Sequence, residues 1–269
     1  MRVDMRREPV VAGAFYDVNP KALNKHIAEL TGEPIKKTKA LGLIAPHAGY
    51  IYSGKVAALV YSHVEIPQTV IILGPNHTGL GAPISVFAEG SWVTPLGEVL
   101  INKPLAEDII KKCKFSIKDT AAHSREHSIE VQLPFLQYHK KSFDFVPIVL
   151  GDYDLKHLKD LADALAACVK GKDILIIAST DLTHYEEAQA ARAKDALVLS
   201  AIEKLDPDKM YEEIKENDIS MCGWMPVYTL LHACNLLGAK EGRIIKYMNS
   251  GDTSGDYSEV VGYGGAVIL

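Results

Sequence analysis

The chemically suggestive residues of this chain follow directly on strongly apolar runs. Ile-Ala-Pro leads into His47, Leu-Gly-Pro-Asn leads into His77, and Ala-Ser-Thr leads into Asp181, with His184 shortly after. Neutral imidazole suits zinc, copper, iron and nickel, and ligands carried on strand ends are held in place before an ion arrives. One isolated histidine is more often a loop cap or the partner of a backbone carbonyl. Histidines at corresponding ends of separate strands are a different matter, because the strands of a parallel sheet share one edge and open onto one crevice. His47 and His77 are therefore expected to be ligands of one metal-centred pocket. Asp181 and His184 arrive at the same edge, and Gly49, Gly74 and Gly79 allow close backbone approach there.

Two further segments carry polar groups with two readings each. Cys222 lies just before a helix expected to begin near Pro226, where a thiolate gains from the helix dipole and can act as a third ligand. It can equally be an inert buried thiol, the reading given to Cys168 and Cys234 within apolar helix faces. No C-x-x-C pattern decides between them, and Cys113, set among lysines, is expected at the periphery. In H-S-R-E-H-S-I-E (123–130), His127 and Glu130 are spaced to face the pocket together. Glu126 and Glu130 can instead serve the dipole of the helix that follows. His26, His63, His139, His157 and His232 fall in helical stretches and are given no role.

The elements that must position these groups alternate between strand-like runs and amphipathic helices, the pattern of a mostly parallel sheet covered by helices. Residues 40–46, 68–75, 143–151 and 172–180 are nearly continuously apolar, as strands buried on both faces are. Residues 243–251 and 259–269 read as further strands, and 83–90 with 97–102 as a hairpin-like excursion around Thr94-Pro95. Asn19-Pro20 and Asp206-Pro207 each present an N-cap with proline at the first helical position. Ser53 is expected to cap a helix running to about Glu65. Residues 154–170, 186–204 and 226–238 read as helices, and Pro134 predicts a kink or late start within 128–140.

The chain has 269 residues, 48% hydrophobic and 23% charged, with a net charge of −5. That is ample for a full core, and without a linker or repeat the expectation is one domain over residues 1–269. Cationic residues are dispersed, which argues against nucleic-acid binding. Apolar runs are too short to cross a bilayer, and the N-terminus lacks the apolar stretch of a signal peptide. Four cysteines in a chain of this length point to reduced thiols and a cytoplasmic protein.

Six ordered blocks then resemble the Memo family, named for a mediator of ErbB2-driven cell motility. They are R-x-P-x-x-A-G-x-F-Y (7–16), A-P-H-A-G-Y-x-Y-S-G (45–54), G-P-N-H (74–77), E-H-S-I-E-x-Q-L-P-F (126–135), S-T-D-L-T-H-Y (179–185) and M-C-G-W-x-P (221–226). The resemblance implies an α/β fold similar to class III extradiol dioxygenases, with a central mostly parallel or mixed sheet flanked by helices. It implies His47, His77 and Cys222 as the metal triad, and Asp181, His184 and His127 as pocket groups that act as acid, base or support. Where the dioxygenases use a carboxylate, Cys222 supplies a softer donor, which favours one copper or iron ion, with zinc also accommodated. Fold does not fix the reaction. A metal-dependent oxidoreductase leads; a zinc-type hydrolase or lyase is the alternative, and a binding module for a small molecule or peptide is the third reading. The resemblance also implies a functional link to a radical-SAM protein.

Overall fold

The computed structural model describes residues 5–33, 35–151 and 153–269. In chain order its strands are β1 (Arg6–Arg7), β2 (Gly42–Ala45), β3 (Thr69–Pro75), β4 (Ile84–Val86), β5 (Ser91–Thr94), β6 (Gly97–Ile101), β7 (Ser116–Lys118), β8 (Asp144–Leu150), β9 (Ile174–Ser179), β10 (His184–Glu186), β11 (Gly242–Asn249) and β12 (Val260–Ile268). The helices are α1 (Pro20–Thr31), α2 (Tyr50–Ser62), α3 (Lys103–Lys112), α4 (Leu133–His139), α5 (Leu155–Val169), α6 (Ala188–Glu203), α7 (Pro207–Glu216), α8 (Trp224–Leu237) and the short α9 (Gly251–Ser254).

The expected mostly parallel or mixed sheet is a mixed one. Strands β6, β8, β3, β9 and β2 lie side by side and parallel. Strand β12 runs antiparallel beside β2 and also pairs antiparallel with β10 and β11. Alternate side chains of the central strands go to opposite faces, as the pleat requires. Leu43, Val70, Ile72, Leu175 and Ile177 cluster with the apolar faces of α1, α2 and α4. Their neighbours Ile44, Ile71, Leu73 and Ile176 cluster with α3 and α5 to α8. Both sets are buried, and each such side chain stabilises the fold by about 1.5–3 kcal/mol. Among the described residues no helix is long and apolar enough to cross a membrane.

The Asn19 and Asp206 side chains cap α1 and α7 as read from the sequence. Pro134 produces a late start, a 3₁₀ turn over Glu130–Gln132 that passes into α4. Four local expectations change. Helix α2 begins at Tyr50 with Gly49 as its cap, and Ser53 sits inside it, donating back to the Ala48 carbonyl at 2.9 Å. Helix α8 starts at Trp224, so Cys222 is closer to its first turn than Pro226 suggested. The hairpin is β5 with β6, while β4 pairs with β7 and β8, because Gly90 lets the chain turn away after residue 89. Cys113 is buried in the core.

Register is what makes the site. Ala45 lies opposite Ser179, and Leu73 opposite Ala178, so β2, β3 and β9 end nearly level at their carboxyl edge. The residues that follow each strand must therefore share one crevice.

Candidate metal centre

His47 leaves the end of β2 and is buried, with 2% of its surface exposed. Its backbone N–H donates to Asp181 Oδ1 at 2.8 Å, which ties the end of β2 to the end of β9. Its ring Nδ1 lies 2.9 Å from Ser179 Oγ, and its Nε2 lies 3.2 Å from Cys222 Sγ. Burial, then the neighbouring His77, His127 and His184, push its pKa well below the ordinary value, so the ring is neutral and fit to be a ligand.

His77 leaves the end of β3 in a more open setting, its side chain 33% exposed. Gly74 lets that strand end lie against the 126–130 segment; a β-carbon there would meet Ser128 and Ile129. The carboxylate of the fully buried Glu126 takes the His77 backbone N–H at 2.7 Å and its ring Nδ1–H at 2.9 Å. It also takes the backbone N–H groups of His127 and Ser128, each at 2.9 Å. Burial alone would raise the Glu126 pKa, but these donors outweigh it and hold the carboxyl down to about 2. Burial likewise pulls the His77 pKa down, and the bond and charge of Glu126 reverse that, leaving it raised.

Cys222 reaches the edge because Gly223 follows it. A β-carbon at Gly223 would collide with the Ser179 carbonyl oxygen and the Thr180 side chain. The Gly223 N–H donates to Thr180 Oγ1 at 3.0 Å, and the Asp181 N–H donates to Cys222 Sγ at 3.3 Å. Burial, then the charge of Asp181, raise the thiol pKa, outweighing the lowering by hydrogen bonds from the Asp181 N–H and the Thr180 hydroxyl. Asp181 itself is raised by burial to about 6, with the N–H groups of His47 and Ala48 and the charge of His184 working the other way.

The donor atoms of His47, His77 and Cys222 all lie within 4.8 Å of one another. A four-coordinate ion bound at normal Zn–S and Zn–N lengths separates its sulfur and nitrogen donors by about 3.5 Å, close to the 3.2 Å between Cys222 Sγ and His47 Nε2. A second group, His77, Glu126 and His127, meets the same spacing. There the carboxylate is already occupied by N–H donors on both oxygens, so its chemistry is to orient His77 rather than to bind an ion.

The remaining expected residues divide. The His127 ring stacks on His77 with centroids 4.8 Å apart and meets Phe15 edge-on at 4.9 Å. His184 sits at the rim on β10, its backbone N–H donating to Ser220 Oγ at 2.8 Å and its Nδ1–H to the Ser220 carbonyl at 3.0 Å. Glu130 does not face the pocket. It is fully buried and takes Arg7 Nη1 at 2.8 Å, the Tyr16 hydroxyl at 2.6 Å and the Val10 N–H at 2.9 Å. Arg7 also donates from Nε to the His123 carbonyl at 2.8 Å, so this pair clamps the N-terminal segment onto the 123–130 loop. Sequence reading passed over Ser179, Gln132 and the orienting role of Glu126. The signal for Ser179 was a hydroxyl closing an otherwise apolar strand.

Comparison with known proteins bears on the whole chain. Residues 7–267 match the family described as Memo-like protein. A MEMO1 family protein of Aquifex aeolicus is 46% identical over 265 residues, covering 98% of this chain and 99% of that one. A MEMO1 family protein of Methanopyrus kandleri is 43% identical over 279 residues, covering 98% and 99%. The crystal structure of uncharacterized protein JW3007 from Escherichia coli K12 is similar in fold alone, with a TM-score of 0.56 and 13% identity over 84% of this chain and 99% of that one. The mixed α/β sheet flanked by helices is the architecture that the resemblance implied. With this coverage and identity, the chain belongs to the Memo family.

Proposed function

We propose that His47, His77 and Cys222 hold one first-row transition metal ion, and that the protein is a metal-dependent oxidoreductase acting on a small molecule. The convergence of these donor atoms within 4.8 Å carries the reading. Two imidazoles and a thiolate favour iron or copper, and a bound ion of this kind would supply redox and Lewis-acid chemistry with positions left for a small ligand. The chain's own residues prepare the pocket for that role. Burial keeps His47 neutral, and Glu126 keeps the Nδ1 of His77 protonated so that its Nε2 lone pair is available.

Asp181 is a proton-holding group beside the donors, its Oδ2 3.9 Å from His47 Nε2. With its pKa raised to about 6 it exchanges a proton near neutrality. His184, whose Nδ1–H is committed to the Ser220 carbonyl, carries its lone pair on Nε2 and can act as an acid or base at the pocket. His127 packs one wall and excludes solvent from the face of His77.

Elemental analysis of purified protein tests the ligand set. Wild type is expected to carry about one metal ion per chain, and Cys222→Ser, His47→Ala and His77→Ala to lose most of it while keeping the fold. Full retention in all three variants overturns the assignment. Dioxygen uptake by protein loaded anaerobically with iron or copper, with reductants and catechols supplied, tests the reaction class. Silence under all these conditions, with zinc-supported activity on a hydrolytic substrate instead, moves the pocket to hydrolase or lyase chemistry.

A further inference from the structure

We propose that Ser179 is the positioning residue for His47: its hydroxyl, aligned by Gln132 and Tyr61, holds His47 as the Nδ1–H tautomer and turns the Nε2 lone pair toward Cys222. The consequence for an ion rests on the metal reading above, but the tautomer follows from counting hydrogens along one buried chain of bonds.

The Tyr61 hydroxyl lies 3.0 Å from Gln132 Oε1, and an amide oxygen only accepts, so the phenol donates. Gln132 Nε2 has two hydrogens and spends them on the Pro46 carbonyl and on Ser179 Oγ, each at 2.9 Å. Turning the amide over would set its oxygen against the Pro46 carbonyl, which has no hydrogen to give, so that carbonyl fixes the orientation. Ser179 has one hydroxyl hydrogen, given to the Ser128 carbonyl at 2.7 Å, which can only accept. One of its lone pairs receives Gln132, and the other faces His47 Nδ1 at 2.9 Å. No hydrogen remains on the hydroxyl for that contact, so Nδ1 must bring it.

Tyr61, Gln132 and Ser179 are each 0% exposed and His47 2%, which leaves no bulk water to substitute for a missing partner. A neutral imidazole carries one N–H. With it on Nδ1, the lone pair stands on Nε2, the atom 3.2 Å from Cys222 Sγ. The opposite tautomer would present a hydrogen there and leave nothing to donate to an ion.

Long-range ¹H–¹⁵N correlation on metal-free protein labelled at histidine reads each tautomer directly. His47 is expected as Nδ1–H in wild type. In Ser179→Ala it is expected to shift toward Nε2–H, with cobalt(II) affinity about 10–100-fold weaker, while His77, held by Glu126, keeps its tautomer. Ser179→Thr retains the hydroxyl and is expected to restore the wild-type signature. An Nε2–H His47 in wild type, or an unshifted Nδ1–H His47 in a folded Ser179→Ala protein, overturns the inference; the wild-type spectrum decides alone if the alanine variant does not fold. An Nδ1–H His47 in protein that takes up no cobalt upholds the positioning and overturns the metal reading instead.

Discussion

His47 and His77 occupy equivalent places, each just past a parallel strand at one sheet edge, yet they stand in opposite surroundings. His47 is enclosed, and a neutral hydroxyl faces its Nδ1. His77 is partly open, and an ionised carboxylate takes its Nδ1–H. The hydroxyl behind His47 brings no charge into the interior, whereas the equally buried Glu126 carboxylate is tolerated because N–H donors satisfy both of its oxygens. A carboxylate partner also makes an imidazole a stronger donor than a hydroxyl does. Residue type and position on the strand are thus insufficient to define a ligand; the atom behind the ring completes it.

The largest expected effect lies beneath the open side. Arg7→Ala would leave the Glu130 carboxylate buried without its cation, a loss of about 3–5 kcal/mol measurable by urea unfolding. A loss under about 1 kcal/mol, the scale of a surface pair, would mean that the 123–130 loop is supported some other way. Next comes Glu126→Gln, which replaces one acceptor oxygen by a donor facing N–H groups. It is expected to cost about 1–3 kcal/mol and to weaken cobalt uptake. Unchanged cobalt affinity would put the two histidines on the same footing and remove the asymmetry.

The smallest effect is a difference in titration. Burial, followed by the neighbouring histidines, lowers the His47 pKa from 6.5, so its contribution to stability is present above that value and is lost as the pH falls. The His77 pKa ends raised from 6.5, because Glu126 outweighs burial, so its contribution is present below that value and is lost as the pH rises through the raised pKa. Histidine ring-proton titrations of metal-free protein should place the His77 midpoint above the His47 midpoint. Coincident midpoints would sink the comparison.

The sequence was most legible where burial dictates pattern. Continuous apolar runs announced β2, β3, β8 and β9, and the polar residues that end them located the pocket edge. It was less legible where the deciding partner comes from elsewhere in the chain. Nothing near His77 in sequence announces Glu126, and nothing near Arg7 announces Glu130, because these pairs form only when the 123–130 loop folds onto the sheet edge. Gly223 was missed for the same reason. Its need to be small is set by the Ser179 carbonyl, a neighbour in space alone. The β4 pairing was misread because alternation marks a strand without naming its partner.

Strand β12 has a consequence for how the pocket comes into being. It pairs with β2, the strand that leads into His47, through Ile268 opposite Gly42, and with β10 through Val261 opposite His184. During synthesis β2 therefore waits with one edge unpaired until residues 260–268 emerge, although His47 was made long before. Contacts between such distant parts of a chain form late and slowly. Both pairings need β12, so a nascent chain holds the histidines and the cysteine before it holds their geometry.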